Sequence, residues 1–229
     1  MAVSPDIATI ARLVGEPARA TILTALMHGE ALTAGELARC AGVTAQTARS
    51  HLAKLENGGL LVCRRQGRHR YFALADEETG TVIEGLMGLA ARAGHERPRS
   101  QPRDEALSQA RVCYDHLAGR AGVSMLDGAL ERGLIASGGD RVVLTDAGAA
   151  WADGFGIDVA RLRSGRRLLC RPCLDWSVRR SHLAGSFGAA LLQRIYALRW
   201  ASRVRGSRIV VFTPRGGALF AQTFGSRSD

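Results

Sequence analysis

Lysine is nearly absent from this chain: among 31 Lys and Arg residues, Lys54 is the sole lysine, and the formal charge of +10 therefore rests on arginine. A pI near 10.5 favours a polyanionic partner, with nucleic acid first. Coding composition is a competing source of an arginine, alanine and glycine bias, so charge alone does not identify that partner. Cysteine is scarce too. Five residues (Cys40, Cys63, Cys113, Cys170 and Cys173) are an odd number spread over 229 positions, which excludes a secreted disulfide framework and points to a reduced, cytoplasmic setting. No apolar run is long enough to span a bilayer, and the N-terminal MAVSPDIATIARLVGEPARATIL lacks the basic segment and continuous apolar stretch of a signal peptide. The expectation is a soluble protein with no membrane partner. Aromatic residues make up only 5% and almost all lie in the second half, where rings fill core or line a pocket for an apolar effector. What the chain does have is a hydrophobic content of 46%, enough to form a core in one large or two ordinary domains.

The most informative stretch is LTAGELARCAGVTAQTARSHLAKLENGGLLVCRRQGRHRYFAL, Leu32 to Leu74. Two amphipathic helices precede it, marked by Ile7, Ile10, Ala11 and Val14 and then by Ile22, Leu23, Leu26 and Met27. Thr33 and Glu36 have the spacing of a capping box, Gly42 permits a sharp turn, and Thr44 caps a further helix running to about Asn57. On that helix Ala48, Leu52 and Leu55 form a core stripe, while Gln46, Thr47, Ser50 and Lys54 share a small, hydrogen-bonding face. Such a face suits a major groove, since Gln pairs with adenine and Ser, Thr and the helix N-terminus reach base edges or phosphates. Arg49 and His51 are expected phosphate contacts. Two strands follow around Gln66-Gly67, and the tip carries Arg64, Arg65, Arg68, His69 and Arg70, the equipment of a wing touching phosphates or a minor groove. A solvated basic loop is the bland alternative for the hairpin taken alone.

In order, GEPARATIL, GELARCAGVTAQTARSHLAKLENGGLL and RRQGRHRYFAL resemble the successive elements of the winged helix-turn-helix in ArsR-type bacterial repressors, over roughly residues 5 to 93. The resemblance implies a dimeric repressor of double-stranded DNA, released by an effector. It also implies dimerisation through the helices near 5–14 and 77–92, where Val82, Ile83, Leu86, Met87 and Ala90 form an apolar stripe. The family's usual metal sites do not carry over. The helix before the recognition helix offers only Cys40, and the helix after the wing, EETGTVIEGLMGLAAR, has no histidine. Both Cys40 and Cys63 read as core packing.

Residues 94–104, GHERPRSQPRD, contain Pro98 and Pro102 and read as a linker. Beyond it the chain repeats: HLAGRAGVSML from His116 matches HLAGSFGAALL from His182, and VVLTDAG from Val142 matches VVFTPRG from Val210. ELARCAGVT, from Glu36, aligns with HLAGRAGVS, from His116, so a capped helix, glycine turn, second helix and hairpin are expected three times over. The expected fold class is mainly α with short β-hairpins (α+β). A winged helix-turn-helix over 1–93 is followed by a sensing and assembly domain over 105–229, built of two degenerate winged-helix-like units at about 105–165 and 166–229. Asp127 and Glu131 would repel phosphate, so the first of these units is not expected to read DNA.

A soft-metal site needs about four thiolate or imidazole ligands. The second half supplies Cys113, His116, Cys170, Cys173 and His182, with Cys113 and His116 spaced to share a helix face and Cys170-Arg-Pro-Cys173 spaced as a metal knuckle. The histidines recur at the same repeat position, which shared architecture explains without a metal. Asp175 reads as the cap of a helix from Trp176 to Ala184; with Arg166, Arg167 and Arg171 nearby, this would activate the thiols at Cys170 and Cys173 for redox sensing. Inert packing, thiol sensing by Cys113, Cys170 or Cys173, and metal binding therefore all stay open, as does a small organic effector. The leading function is a sequence-specific transcriptional repressor rather than an enzyme. A nonspecific architectural DNA binder and a CxxC thiol oxidoreductase are the alternatives, the latter without the βαβ context such enzymes use.

Overall fold

The computed structural model describes residues 5–27, 31–67, 69–95, 102–138 and 141–225. They form two units, Met1–Ile83 and Glu84–Asp229. In the first, the Asp6 carboxylate accepts from the N–H groups of Ala8 and Thr9 to start α1 (Ile7–Val14). Glu16 does the same for α2 (Pro17–Leu26), where proline occupies the first turn at no cost in hydrogen bonds. After β1 (Leu32–Thr33), the Thr33–Glu36 capping box opens α3 (Ala34–Ala41). Gly42 ends that helix at φ 66°, a left-handed conformation that glycine adopts without steric penalty. Thr44 then caps α4 (Ala45–Asn57). The wing is β2 (Leu61–Gln66) against β3 (His69–Leu74), and β1 adds to β3 in a three-stranded sheet of order β1-β3-β2. Ile22, Leu23, Leu26, Leu37, Leu52, Leu55 and Phe72 bury their side chains in this unit.

Helix α5 (Glu77–Arg92) contains the division between the units, at Ile83 and Glu84. Its second half belongs with the C-terminal unit because Glu84 is buried against Arg111 and Arg208, and Arg179 donates to the Ala91 carbonyl at 3.1 Å. Of the stretch read as a linker, residues 96–101 lie outside the described residues, and α6 (Pro102–Gln109) starts at its end.

The C-terminal unit runs the same order of elements twice. First come β4 (Arg111–Cys113), β5 (His116–Ala118), α7 (Gly119–Glu131), β6 (Ile135–Gly138), β7 (Arg141–Leu144) and α8 (Asp146–Gly154). After α9 (Val159–Arg163) come β8 (Arg171–Leu174), β9 (Ser181–Ala184), α10 (Gly185–Ala197), β10 (Ala201–Arg203), β11 (Val210–Phe212) and α11 (Pro214–Phe224). One hydrophobic core, including Leu117, Met125, Leu183, Phe187, Leu191 and Phe224, joins both runs. Trp151, Phe155, Trp200 and Phe224 pack ring against ring, with centroids 4.8–6.2 Å apart, so these aromatics fill core.

Three local expectations fail here. His116 and His182 lie on strands, not at helix starts, so Cys113 and His116 face each other across a hairpin rather than along a helix. The stretch Trp176–Ala184 is not a helix: Asp175 accepts from the N–H groups of Ser177 and Val178 and so organises the β8–β9 turn. Finally, Gly122 and Gly188 do not break a helix in two but lie inside the continuous α7 and α10. A side chain there would meet the Leu117 and Leu183 carbonyl oxygens at 2.3 Å, so these glycines serve close packing rather than a turn.

Candidate functional site

Two sites emerge, one in each unit. On α4 the buried stripe Ala48, Leu52 and Leu55 turns Gln46, Thr47, Arg49, Ser50 and Lys54 to solvent. Thr44 is also exposed, but its hydroxyl accepts from the Thr47 N–H at 3.1 Å and contacts the Thr47 hydroxyl at 2.9 Å, which makes it first a helix cap. Thr44→Ala is expected to lose about 1 kcal/mol of stability. A urea midpoint unchanged from the parent protein would contradict this. His51 turns inward: its Nδ1 lies 3.4 Å from Glu16 Oε2 and 3.5 Å from Arg19 Nη1, so it ties α4 to α2 instead of joining the outward face.

On the wing Arg64, Arg65, His69 and Arg70 are exposed, and Arg68 lies outside the described residues. Arg65 sits directly opposite Arg70 across the strands. Like charges in that register repel, and an anion laid along the hairpin removes the penalty. Arg70 also leans back, donating to Glu56 at 3.3 Å and to the Cys63 sulfur at 3.1 Å. Cys40 is exposed and Cys63 half-buried, so core packing does not describe Cys40.

In the C-terminal unit the β4–β5 and β8–β9 hairpins each present one cysteine and one histidine. Cys113 pairs in register with His116, and Cys173 with His182. Directly opposed residues of antiparallel strands project from the same face. Strand β5 lies against β9, which brings the two pairs together. All four side chains are buried, and their candidate ligand atoms lie within 4.8 Å of one another. The two imidazoles stack with centroids 5.1 Å apart, and their Nε2 atoms approach to 3.1 Å. The His116 Nδ1 faces Asp115 at 3.3 Å and the His182 Nδ1 faces Asp175 at 3.5 Å.

Burial and the adjacent His116 push His182 well below the ordinary histidine value. The Cys173 sulfur and complete burial push the Cys113 thiol well above its usual range. Cys170 does not join this group. It packs against the hydrophobic core, and burial raises its thiol to about 11. The expected helix start is not beside it, and a backbone hydrogen bond at Leu144 and the charge of Arg163 offset that burial only in part.

Around the cluster runs an ion network that the sequence did not announce. Arg111 is wholly buried, with Nη2 at 2.7 Å from Glu84 and 3.0 Å from Asp175, and its guanidinium lies 4.7 Å from the Trp176 ring centre. Arg208 approaches the other Glu84 oxygen at 3.5 Å, so two cations meet two anions. Asp175 also accepts from the Gly119 N–H at 2.6 Å. Burial alone would raise its carboxyl; Arg111 and Ser177 outweigh that and hold it near 2. The one sequence signal of this network was Glu84 itself, a charge set within the apolar stripe of α5.

Comparison with known proteins bears chiefly on the N-terminal unit. A family model described as a helix-turn-helix domain matches residues 14–64. The "Uncharacterized HTH-type transcriptional regulator YdfF" of Bacillus subtilis (strain 168) is 39% identical over 217 residues, covering 95% of this chain and 96% of its own length. The "HTH-type transcriptional regulator CmtR" of Mycobacterium tuberculosis is 30% identical over 92 residues, 40% of this chain and 77% of its own. Among solved structures, the homodimeric winged helix-turn-helix DNA-binding domain of Mb0332 from Mycobacterium bovis, described as a possible ArsR-family transcriptional regulator, is 24% identical with a TM-score of 0.35. It covers 44% of this chain and 99% of that one.

Proposed function

Because the chain belongs to the family of helix-turn-helix transcriptional regulators, with an N-terminal unit of the ArsR type, we propose that it is a homodimeric repressor of a specific DNA operator, released by an effector sensed in the C-terminal unit. The observation that carries this reading is the exposed polar face of α4, with Gln46, Thr47 and Ser50 flanked by Arg49 and Lys54 and followed by a basic wing. Laid in a major groove, Gln46 donates to and accepts from an adenine edge, Thr47 and Ser50 reach bases or phosphates, and the wing arginines neutralise the backbone alongside. Dimerisation would cover apolar side chains that are otherwise exposed: Ile7 and Ile10 on α1, and Val82, Leu86 and Leu89 on α5. A reduced, cytoplasmic setting fits the free cysteines. No helix among the described residues is long and apolar enough to cross a membrane.

A gel shift on DNA from upstream of the protein's own gene tests the reading. The upstream duplex should bind orders of magnitude more tightly than random DNA at moderate salt; equal affinities would favour the architectural binder. Gln46→Ala should remove about 1–3 kcal/mol of discrimination at one base pair, whereas Arg64→Ala and Arg65→Ala should weaken every sequence alike and reduce the salt slope by about 1 each. A uniform loss from Gln46→Ala would remove its base-reading role. Cys173 keeps company with Cys113 and two histidines while Cys170 packs against the core, which weighs against the thiol oxidoreductase reading.

A further inference from the structure

We propose that Cys113, His116, Cys173 and His182 form a closed tetrahedral S2N2 site for one Zn(II)-class metal ion, placed where the two hairpins of the C-terminal unit meet. The residue types are those of a thiophilic, borderline-soft ion, and the count is that of a site with no open position. Bonds of about 2.0–2.3 Å in a tetrahedron set ligand atoms roughly 3.3–3.8 Å apart. The four candidate atoms already lie within 4.8 Å of one another, so small side-chain rotations close the site.

The orientation of the histidines distinguishes a metal site from ordinary packing. The two Nε2 atoms face each other; His116 Nδ1 hydrogen-bonds to Asp115, while the buried His182 Nδ1 lies 3.5 Å from Asp175 without a hydrogen bond to it. For His116 that is the carboxylate–histidine–metal arrangement, in which the outer acid fixes the tautomer and makes the inner nitrogen a better donor; for His182, a small ring rotation toward Asp175 on metal binding would complete the same pair. Two inward imidazole nitrogens 3.1 Å apart repel if both present lone pairs, and a cation between them turns that repulsion into binding. Repeated architecture accounts for the matching histidines, but not for a cysteine set opposite each one in register from different sequence spacings, so that all four side chains reach the same point. Charge also balances: as the metal–sulfur bonds form, each thiol releases its proton to solvent, and two thiolates neutralise a divalent ion in a fully buried place. Because all four ligands are protein side chains, the site leaves no position for an activated water and supports no hydrolytic step. This assignment does not depend on repression, since a chain that failed to bind DNA would still bind the metal.

The test is titration of the reduced, chelator-treated full-length chain with Co(II), followed by Zn(II). One equivalent per chain should give the intense visible d–d absorption of tetrahedral cobalt with thiolate-to-cobalt charge transfer, and Zn(II) should displace it. Cys170→Ser should keep the wild-type spectrum and stoichiometry, while Cys113→Ser and His182→Ala should lose the tetrahedral band. Asp115→Asn, at a half-exposed position, should keep the band while weakening affinity about 10–100-fold, a result that does not require a ligand variant to fold. Only a weak octahedral spectrum in the wild-type chain, or loss of the band in Cys170→Ser, would overturn the assignment.

Discussion

Arg111→Ala is expected to lower the unfolding free energy of the C-terminal unit by about 3–5 kcal/mol, a large fraction of a typical domain's stability. The guanidinium is fully buried between Glu84 and Asp175, and its removal leaves two buried carboxylates without their shared cation, Glu84 keeping Arg208 at 3.5 Å and Asp175 its hydrogen bonds from Gly119 and Ser177. The loss comes chiefly from uncompensated buried charge, not from the ion pairs as such, and this gives the experiment its control. Glu84→Ala alone should be severely destabilising, yet in the Arg111→Ala background it should add far less, and a double-mutant cycle in urea reads that coupling directly. Additive losses, or a loss below 1 kcal/mol for Arg111→Ala, would show that the network relaxes into water. The same substitution should perturb Co(II) binding, because Arg111 holds the Asp175 carboxylate that faces His182.

Gly148→Ala and Gly216→Ala should each destabilise by about 3 kcal/mol or more, the upper end for overpacking. A methyl at Gly148 would lie 1.9 Å from the Leu134 carbonyl oxygen, and one at Gly216 would lie 2.0 Å from the Trp200 carbonyl oxygen and 2.4 Å from its Cα. Neither obstacle is a side chain that could swing away. Both glycines sit three residues after a capping threonine, Thr145 or Thr213, whose hydroxyl accepts from the glycine N–H at 2.9 Å. The caps press α8 and α11 onto the chain leaving the preceding helix. The neighbouring Gly217 supplies the contrast: its added methyl would meet only Phe212 Cβ at an ordinary 3.8 Å, so Gly217→Ala should be neutral or stabilising by up to about 1 kcal/mol. Thermal melts of the three variants that failed to separate Gly217 from the other two would refute the close approach.

The N-terminal unit was legible in the sequence because its signals are local. The Thr33–Glu36 box, the left-handed Gly42, the Thr44 cap and the Ala48–Leu52–Leu55 stripe each depend on residues a few positions apart, and each appears where the spacing put it. Where the reading failed, the reason was equally physical. His51 reads as a phosphate contact, but the glutamate that caps α2 and an arginine within it lie against its ring. Asp175 looked like a helix cap because turn and cap use the same hydrogen bonds to following N–H groups, and sequence does not tell them apart.

The cysteine–histidine cluster shows the boundary most clearly. The sequence supplied all four ligands and set His116 and His182 at matching places, but Cys113 precedes its histidine by three residues and Cys173 precedes its own by nine. Any fixed repeat offset therefore hides the equivalence of the two cysteines. The eye goes instead to Cys170 and Cys173, which an extended chain points to opposite faces. What the sequence determined by itself were the residue types and, in the N-terminal unit, the helix ends and the exposed polar face of α4, since local hydrogen bonding and side-chain period fix those. That two hairpins sixty residues apart meet on one side, with Glu84 and Arg111 closing the network behind them, was decided only by tertiary packing, because burial of a shared core selects which faces touch.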